Sequence, residues 1–182
     1  MKKHWTLLLL LGVFMLPVVL AKLVLDLNWY QGGVTNRGEL LASPLTSDWL
    51  GQSDKWQLVY LMPPECDERC VGALFNLRQI PQVVGAGQER ISSVLLVAEA
   101  EWASLSSSYA EQVEGLESML VPDHVITQLR TLEYGAQAIY IADPLGNVMM
   151  AYPLVKGQAA VLALGKDVLR DLKRLLKVSK IG

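Results

Sequence analysis

The residues from Trp56 to Met62 form an unbroken apolar run, rich in aromatic and branched side chains, that stops at Pro63-Pro64. A run of this kind suits a strand covered on both faces, and a proline pair cannot continue its ladder of hydrogen bonds. Acidic Glu65, Asp67 and Glu68 come next, where negative charge favours a helix N-terminus, and apolar residues then recur at Val71, Leu74, Phe75, Leu77 and Ile80. The pattern predicts a buried strand, a short loop and a helix ending near Pro81.

The only two cysteines of the chain, Cys66 and Cys70, fall at that loop-to-helix junction with three residues between them. Helical spacing puts both on one face, and free N–H groups at a helix N-terminus favour thiolate over thiol. Two readings stay open at this point. One is a reactive dithiol, with the more exposed Cys66 attacking and Cys70 resolving; the other is a local structural disulfide, although closing so short a loop adds little through chain entropy. A structural zinc site wants four ligands, and the chain has no second cysteine pair and only two histidines, His4 and His124.

Hydrophobic residues make up 52% of the 182, with a mean hydropathy of +0.29, high for a soluble domain and natural if one segment lies in a membrane. The N-terminus supplies that segment. Residues 1–4 form a short basic tail with Lys2 and Lys3, and residues 5–27 read as a single membrane-spanning helix, with Trp29-Tyr30 placed for an interfacial belt. Val19-Leu20-Ala21 also fits a cleavage site, so a retained anchor and a cleaved leader are both compatible with the residues, the anchor being favoured by the apolar residues beyond Ala21. The basic tail places the N-terminus in the cytoplasm and the rest outside; in a bacterium this is an inner-membrane protein with a periplasmic domain. The formal net charge is −2 and there is no long basic run, so nucleic acid is not an expected partner.

Residues 28–54 read as a linker, with turn signals at Gly32-Gly33 and Asn36-Arg37-Gly38, and a short edge strand around Glu39-Leu40-Leu41. Residues 55–182 form the main domain. Gly85 and Gly87 mark a loop before a second central strand, Ile91–Ala98, which implies a parallel crossover from the first. The stretch from Glu99 to Leu132 predicts helical turns at Glu101–Ala103 and from Tyr109, a short strand at Met119–Val121 and a helix capped at Asp123. Ser106–Ser108 has no histidine and acid placed to make a triad. Ala136–Ala142 and Asn147–Tyr152 flank Asp143-Pro-Leu-Gly146 as a hairpin, and an amphipathic helix over Gln158–Lys177 closes the chain. The order predicts an α/β, thioredoxin-like fold, a central mixed sheet with flanking helices behind one transmembrane helix.

The anchor, the Cys66-Asp-Glu-Arg-Cys70 motif after a central strand and the Tyr140-Ile-Ala-Asp-Pro-Leu-Gly146 run resemble the Sco/SenC group of membrane-anchored, thioredoxin-like proteins that help load copper into cytochrome c oxidase. The resemblance implies a role in assembling or copper-loading a terminal oxidase, an oxidase subunit as partner, and Cu(I) held by Cys66 and Cys70. The family's third ligand is a histidine nine residues before the turn proline, a position occupied here by Gly135; His124, eleven residues earlier, is the remaining candidate. Met62 and Glu65 are conceivable further donors, and of Met149 and Met150 on the hairpin at least one is read as core filling. Alternatives are a general periplasmic thiol–disulfide oxidoreductase and a non-catalytic assembly factor with a structural cysteine pair.

Overall fold

The structure is a computed structural model that describes residues 2–27, 35–47, 50, 53–103 and 108–181. It falls into two units, Met1–Thr35 and Asn36–Gly182. Trp29-Tyr30, Gly32-Gly33 and most of the Ser106–Ser108 stretch lie outside the described residues.

The first unit is one helix, α1 (Lys2–Asp26), in which Leu7–Val24 is long and apolar enough to cross a membrane. At 1.5 Å per residue the helix is about 37 Å long, against about 30 Å of bilayer hydrocarbon. Its Leu, Val and Phe side chains from Leu7 to Leu23 lie exposed, as a lipid-facing surface would be.

The second unit is built on a mixed six-stranded sheet. The strands are β1 (Glu39–Thr46), β2 (Trp56–Leu61), β3 (Ile91–Ala98), β4 (Glu117–Val121), β5 (Ala138–Ala142) and β6 (Asn147–Pro153), in the spatial order β1-β6-β5-β2-β3-β4. β2, β3 and β4 run parallel, while β5, β6 and β1 join antiparallel. Among the described residues the α-helices that follow α1 are α2 (Glu68–Val83), α3 (Ala110–Val113), α4 (Asp123–Arg130) and α5 (Gln158–Val178). Every residue of β2 and β5 is buried, because helices cover the sheet on both sides.

Alternation along β2 divides the core. Leu58, Tyr60 and Met62 pack with Cys70, Leu74 and Leu77 of α2 and with Val168 and Leu172 of α5. Val59 and Leu61 face the other way, onto Val125, Ile126 and Leu129 of α4. The two helices of the first layer approach closely: a Cβ on Gly72 would lie 2.6 Å from Val161, and one on Gly165 would meet the amide of Asn76, which donates to the Val161 carbonyl at 3.1 Å. Buried Asp171 of α5 accepts from the Arg37 and Gly38 N–H groups at 2.6 and 2.9 Å and from the Tyr152 hydroxyl at 3.0 Å, fastening the entry to β1 onto this layer.

Three local expectations change. The Cys-bearing helix does not stop at Pro81 but runs to Val83. Proline has no N–H for the Leu77 carbonyl four residues back, and Ser93 of β3 supplies the missing donor, its hydroxyl lying 2.7 Å from that oxygen. Asp123 is the first residue of α4 instead of its cap; the cap position is Pro122, whose carbonyl accepts from Val125 and Ile126 while no side chain caps the helix. The edge strand β1 is also longer than its apolar core suggested, passing through Pro44, which is tolerated because the strand pairs on one side only.

Candidate functional site

The site is the junction between β2 and α2. The strand ends at Leu61, Met62 donates its N–H to the Leu96 carbonyl of β3, and the chain then turns through Pro63-Pro64-Glu65 to Cys66. Cys66 and Cys70 are joined by a disulfide with a Cα–Cα distance of 5.1 Å. The sequence placed the two on one helix face; the structure brings them together, with Cys66 outside the helix and before its cap. They differ in access: Cys70, in the first turn of α2, is 1% exposed, whereas Cys66, just before the helix, is half-buried. A nucleophile from solvent therefore meets the Cys66 sulfur first.

Asp67 organises the turn. It is the N-cap of α2, and its Oδ1 accepts from the Arg69 and Cys70 N–H groups, both at 3.1 Å. Its Oδ2 accepts from Arg69 Nε at 3.0 Å. The Cys70 N–H and then the Arg69 side chain hold the Asp67 carboxyl below the usual carboxylate range. This revises the electrostatics read from the sequence. Two of the N–H groups that would favour a thiolate are already taken by a carboxylate, and the Arg69 guanidinium offsets that carboxylate's charge.

Neighbouring elements hold the junction in place. Glu68 Oε1 accepts from the Gly157 N–H at 3.0 Å, which ties the first turn of α2 to the start of α5. The Tyr109 hydroxyl donates to the Cys66 carbonyl at 3.4 Å. Under the turn, Tyr60 is fully buried with Cys70, Met62 and Leu74, and its hydroxyl has no hydrogen-bond partner among the described residues. Burial, and then the Asp67 charge, push its phenol well above the ordinary value. The sequence reading passed over Tyr60 and Arg69. The signal for Tyr60 was its parity with Leu58 and Met62, which puts a polar tip on the face that α2 covers.

Of the residues raised as further metal donors, Glu65 adjoins Cys66 and Met62 shares the apolar cluster of Cys70, whereas His124 lies elsewhere. His124 is exposed on α4, which packs on the opposite face of the sheet from α2. Met62 and Met150 are core residues, and Met149 packs against the same core. Among the described residues, no three His, Cys, Asp or Glu side chains come together as a metal-holding group. The donor set at the junction is two sulfurs, and they are bonded to each other. It does not fit a resident three-ligand copper centre.

A family model described as "Transmembrane-like, thioredoxin-like, C-terminal domain" matches residues 56–179, from the start of β2 past the end of α5. No curated protein matches the chain. Among solved structures, the thioredoxin domain of a thiol-disulfide oxidoreductase from Bacteroides vulgatus is similar with a TM-score of 0.51 at 12% identity, over 74% of this chain and 94% of that one. ScoI from Bradyrhizobium japonicum, with copper bound, gives 0.47 at 15% identity over 75% and 98%. A SCO1/SenC family lipoprotein from Bacillus anthracis gives 0.48 at 14% identity over 78% and 94%. At 12% identity the likeness to the Bacteroides vulgatus domain speaks to fold alone, and the fold is thioredoxin-like. With the family match covering the sheet, the Cys-bearing helix and the closing helix, the chain belongs to the transmembrane-like, thioredoxin-like C-terminal domain family.

Proposed function

We propose that this chain is a membrane-tethered dithiol–disulfide protein whose Cys66–Cys70 pair exchanges with cysteines of a partner protein. The observation that carries the reading is the unequal access of two bonded sulfurs at the end of a central strand, Cys66 half-buried and Cys70 1% exposed. A partner thiolate attacks the Cys66 sulfur, the Cys66–Cys70 bond breaks, and its electron pair leaves on Cys70. A second partner thiolate then releases Cys66, so that the partner leaves as a disulfide and the chain holds two thiols. The reverse sequence reduces a partner disulfide. His124 lies outside this chemistry.

The anchor α1 and the domain that follows fit a bacterial inner-membrane protein with a cytoplasmic N-terminus and a periplasmic domain, where a cysteine pair is free to cycle. In that setting the partner we propose is a terminal cytochrome oxidase subunit, whose copper-binding cysteines must be reduced before metal enters. Copper itself enters only as cargo, since the reduced pair offers Cu(I) two thiolates.

The test is trapping. Cys70→Ser in the full-length chain leaves Cys66 without its resolving partner, so mixed disulfides with membrane proteins are expected to accumulate and to disappear on adding dithiothreitol. Cys66→Ser, which leaves only the buried Cys70, is expected to trap at least tenfold less. Equal trapping by both variants, or none, together with normal oxidase assembly in a Cys66→Ser/Cys70→Ser strain, overturns the dithiol reading. It would leave a structural cysteine pair.

A further inference from the structure

The buried Tyr60 hydroxyl has no partner while the disulfide is closed. Tyr60 lies on the face of β2 that packs into the same apolar cluster as Cys70, Leu74 and Leu77 of α2. A buried hydroxyl without a hydrogen bond is unfavourable, and so is a buried sulfur anion without a donor. The closed disulfide leaves the first group unsatisfied; opening it creates the second. The other orphaned buried groups on the two central parallel strands, Trp56 Nε1, Gln57 Oε1 and Ser92 Oγ, sit at the strand starts, away from the cysteines. Cys70 is 1% exposed, so solvent does not provide the donor. Its own N–H is committed to Asp67 at 3.1 Å.

Resting on the dithiol reading above, we propose that Tyr60 is the hydrogen-bond donor to the Cys70 sulfur when the disulfide opens. As a partner thiolate bonds to Cys66, the electron pair of the Cys66–Cys70 bond moves onto Cys70 Sγ, and the Tyr60 O–H turns to that sulfur. The phenol keeps its proton, since burial and the nearby Asp67 charge both oppose its ionisation. Two electrons come from the partner dithiol, which leaves as a disulfide after its second thiolate displaces Cys66. Tyr60 thereby stabilises the open state selectively. It adds nothing to the closed one.

The experiment is an equilibrium titration of the full-length chain in detergent against reduced and oxidised dithiothreitol, with Tyr60→Phe, Tyr152→Phe and the unaltered sequence side by side. Tyr60→Phe is expected to lower the equilibrium constant for reduction about tenfold, a potential about 30 mV more negative. It is also expected to leave the Tm of the oxidised form unchanged or raised, because an unsatisfied hydroxyl is gone, while lowering that of the reduced form. Tyr152→Phe removes a hydroxyl bonded to Asp171 and is expected to lower both Tm values together without moving the constant. If Tyr60→Phe leaves the constant within twofold, or shifts both forms equally, the inference is overturned while the dithiol reading stands. If the unaltered chain takes up no electrons while folded, the dithiol reading fails and the inference with it.

Discussion

Two turns of this domain are organised by an aspartate, and they are built to opposite ends. Asp143, at the β5–β6 hairpin, is 7% exposed and saturated: its carboxylate accepts from the Leu145 N–H at 2.9 Å, the Asn147 N–H at 2.8 Å and Asn147 Nδ2 at 2.9 Å, while Gly146 takes the positive φ that closes the turn. Asp67, at the β2–α2 turn, also accepts two N–H groups, but it lies in solvent, pairs with Arg69 and falls between the two cysteines in the chain, at the end of the strand that carries the unsatisfied Tyr60. The hairpin leaves no polar group of its aspartate wanting. The cysteine turn keeps one buried donor in reserve. A polar group left unpaired in one redox state makes sense where the chemistry of the other state supplies its partner.

The sharpest way to break the comparison is Asp143→Ala. It strips three hydrogen bonds from a buried turn and should destabilise the domain by about 2–4 kcal/mol, measured by urea unfolding, with no change in the equilibrium constant for disulfide reduction. Asp67→Asn should do the reverse. The amide oxygen keeps part of the cap, so Tm should fall by only a few degrees, but the negative charge beside the sulfurs is gone, and thiolate formation in the reduced chain should move to lower pH. Iodoacetamide labelling rate against pH reads this directly.

The smallest effect is the pH dependence of stability. The folded pKa of Asp67 is depressed, chiefly by the Cys70 N–H and then by Arg69, so its contribution is present above the unfolded carboxylate value and lost as pH falls through the folded one. Acid unfolding curves of Asp67→Asn should lack that component. If the variant titrates like the unaltered chain, Asp67 is not the cap that sets this turn apart from the hairpin.

Much of the sheet was legible in the sequence. The apolar runs at Trp56–Met62 and Ile91–Ala98 and the Asp143-Pro-Leu-Gly146 turn signal correspond to β2, β3 and the β5–β6 hairpin, because burial on both faces and turn chemistry each leave a strong local mark. The end of α2 was not legible, since the donor that rescues the Leu77 carbonyl is Ser93, on the next strand. The same holds for the start of α4, where an acidic residue after a proline reads equally well as a cap or as a first-turn residue. At the site, the spacing of Cys66 and Cys70 announced that the two would meet, although Cys66 precedes the cap of α2 instead of sharing a helix face with Cys70. The electrostatics around them depended on which N–H groups Asp67 would capture. That is a matter of one side-chain rotamer, and no periodicity records it.

Thiol exchange at this site requires the Cys66–Cys70 bond to open without the domain unfolding. The most direct measurement is the rate of its reduction in the full-length folded chain as dithiothreitol concentration is raised, set against the rate of global unfolding under the same conditions. A rate that rises in proportion to dithiothreitol and exceeds the unfolding rate is the predicted result. A rate that saturates at the unfolding rate would show a disulfide sealed within the fold, and would contradict the exchange chemistry assigned to it.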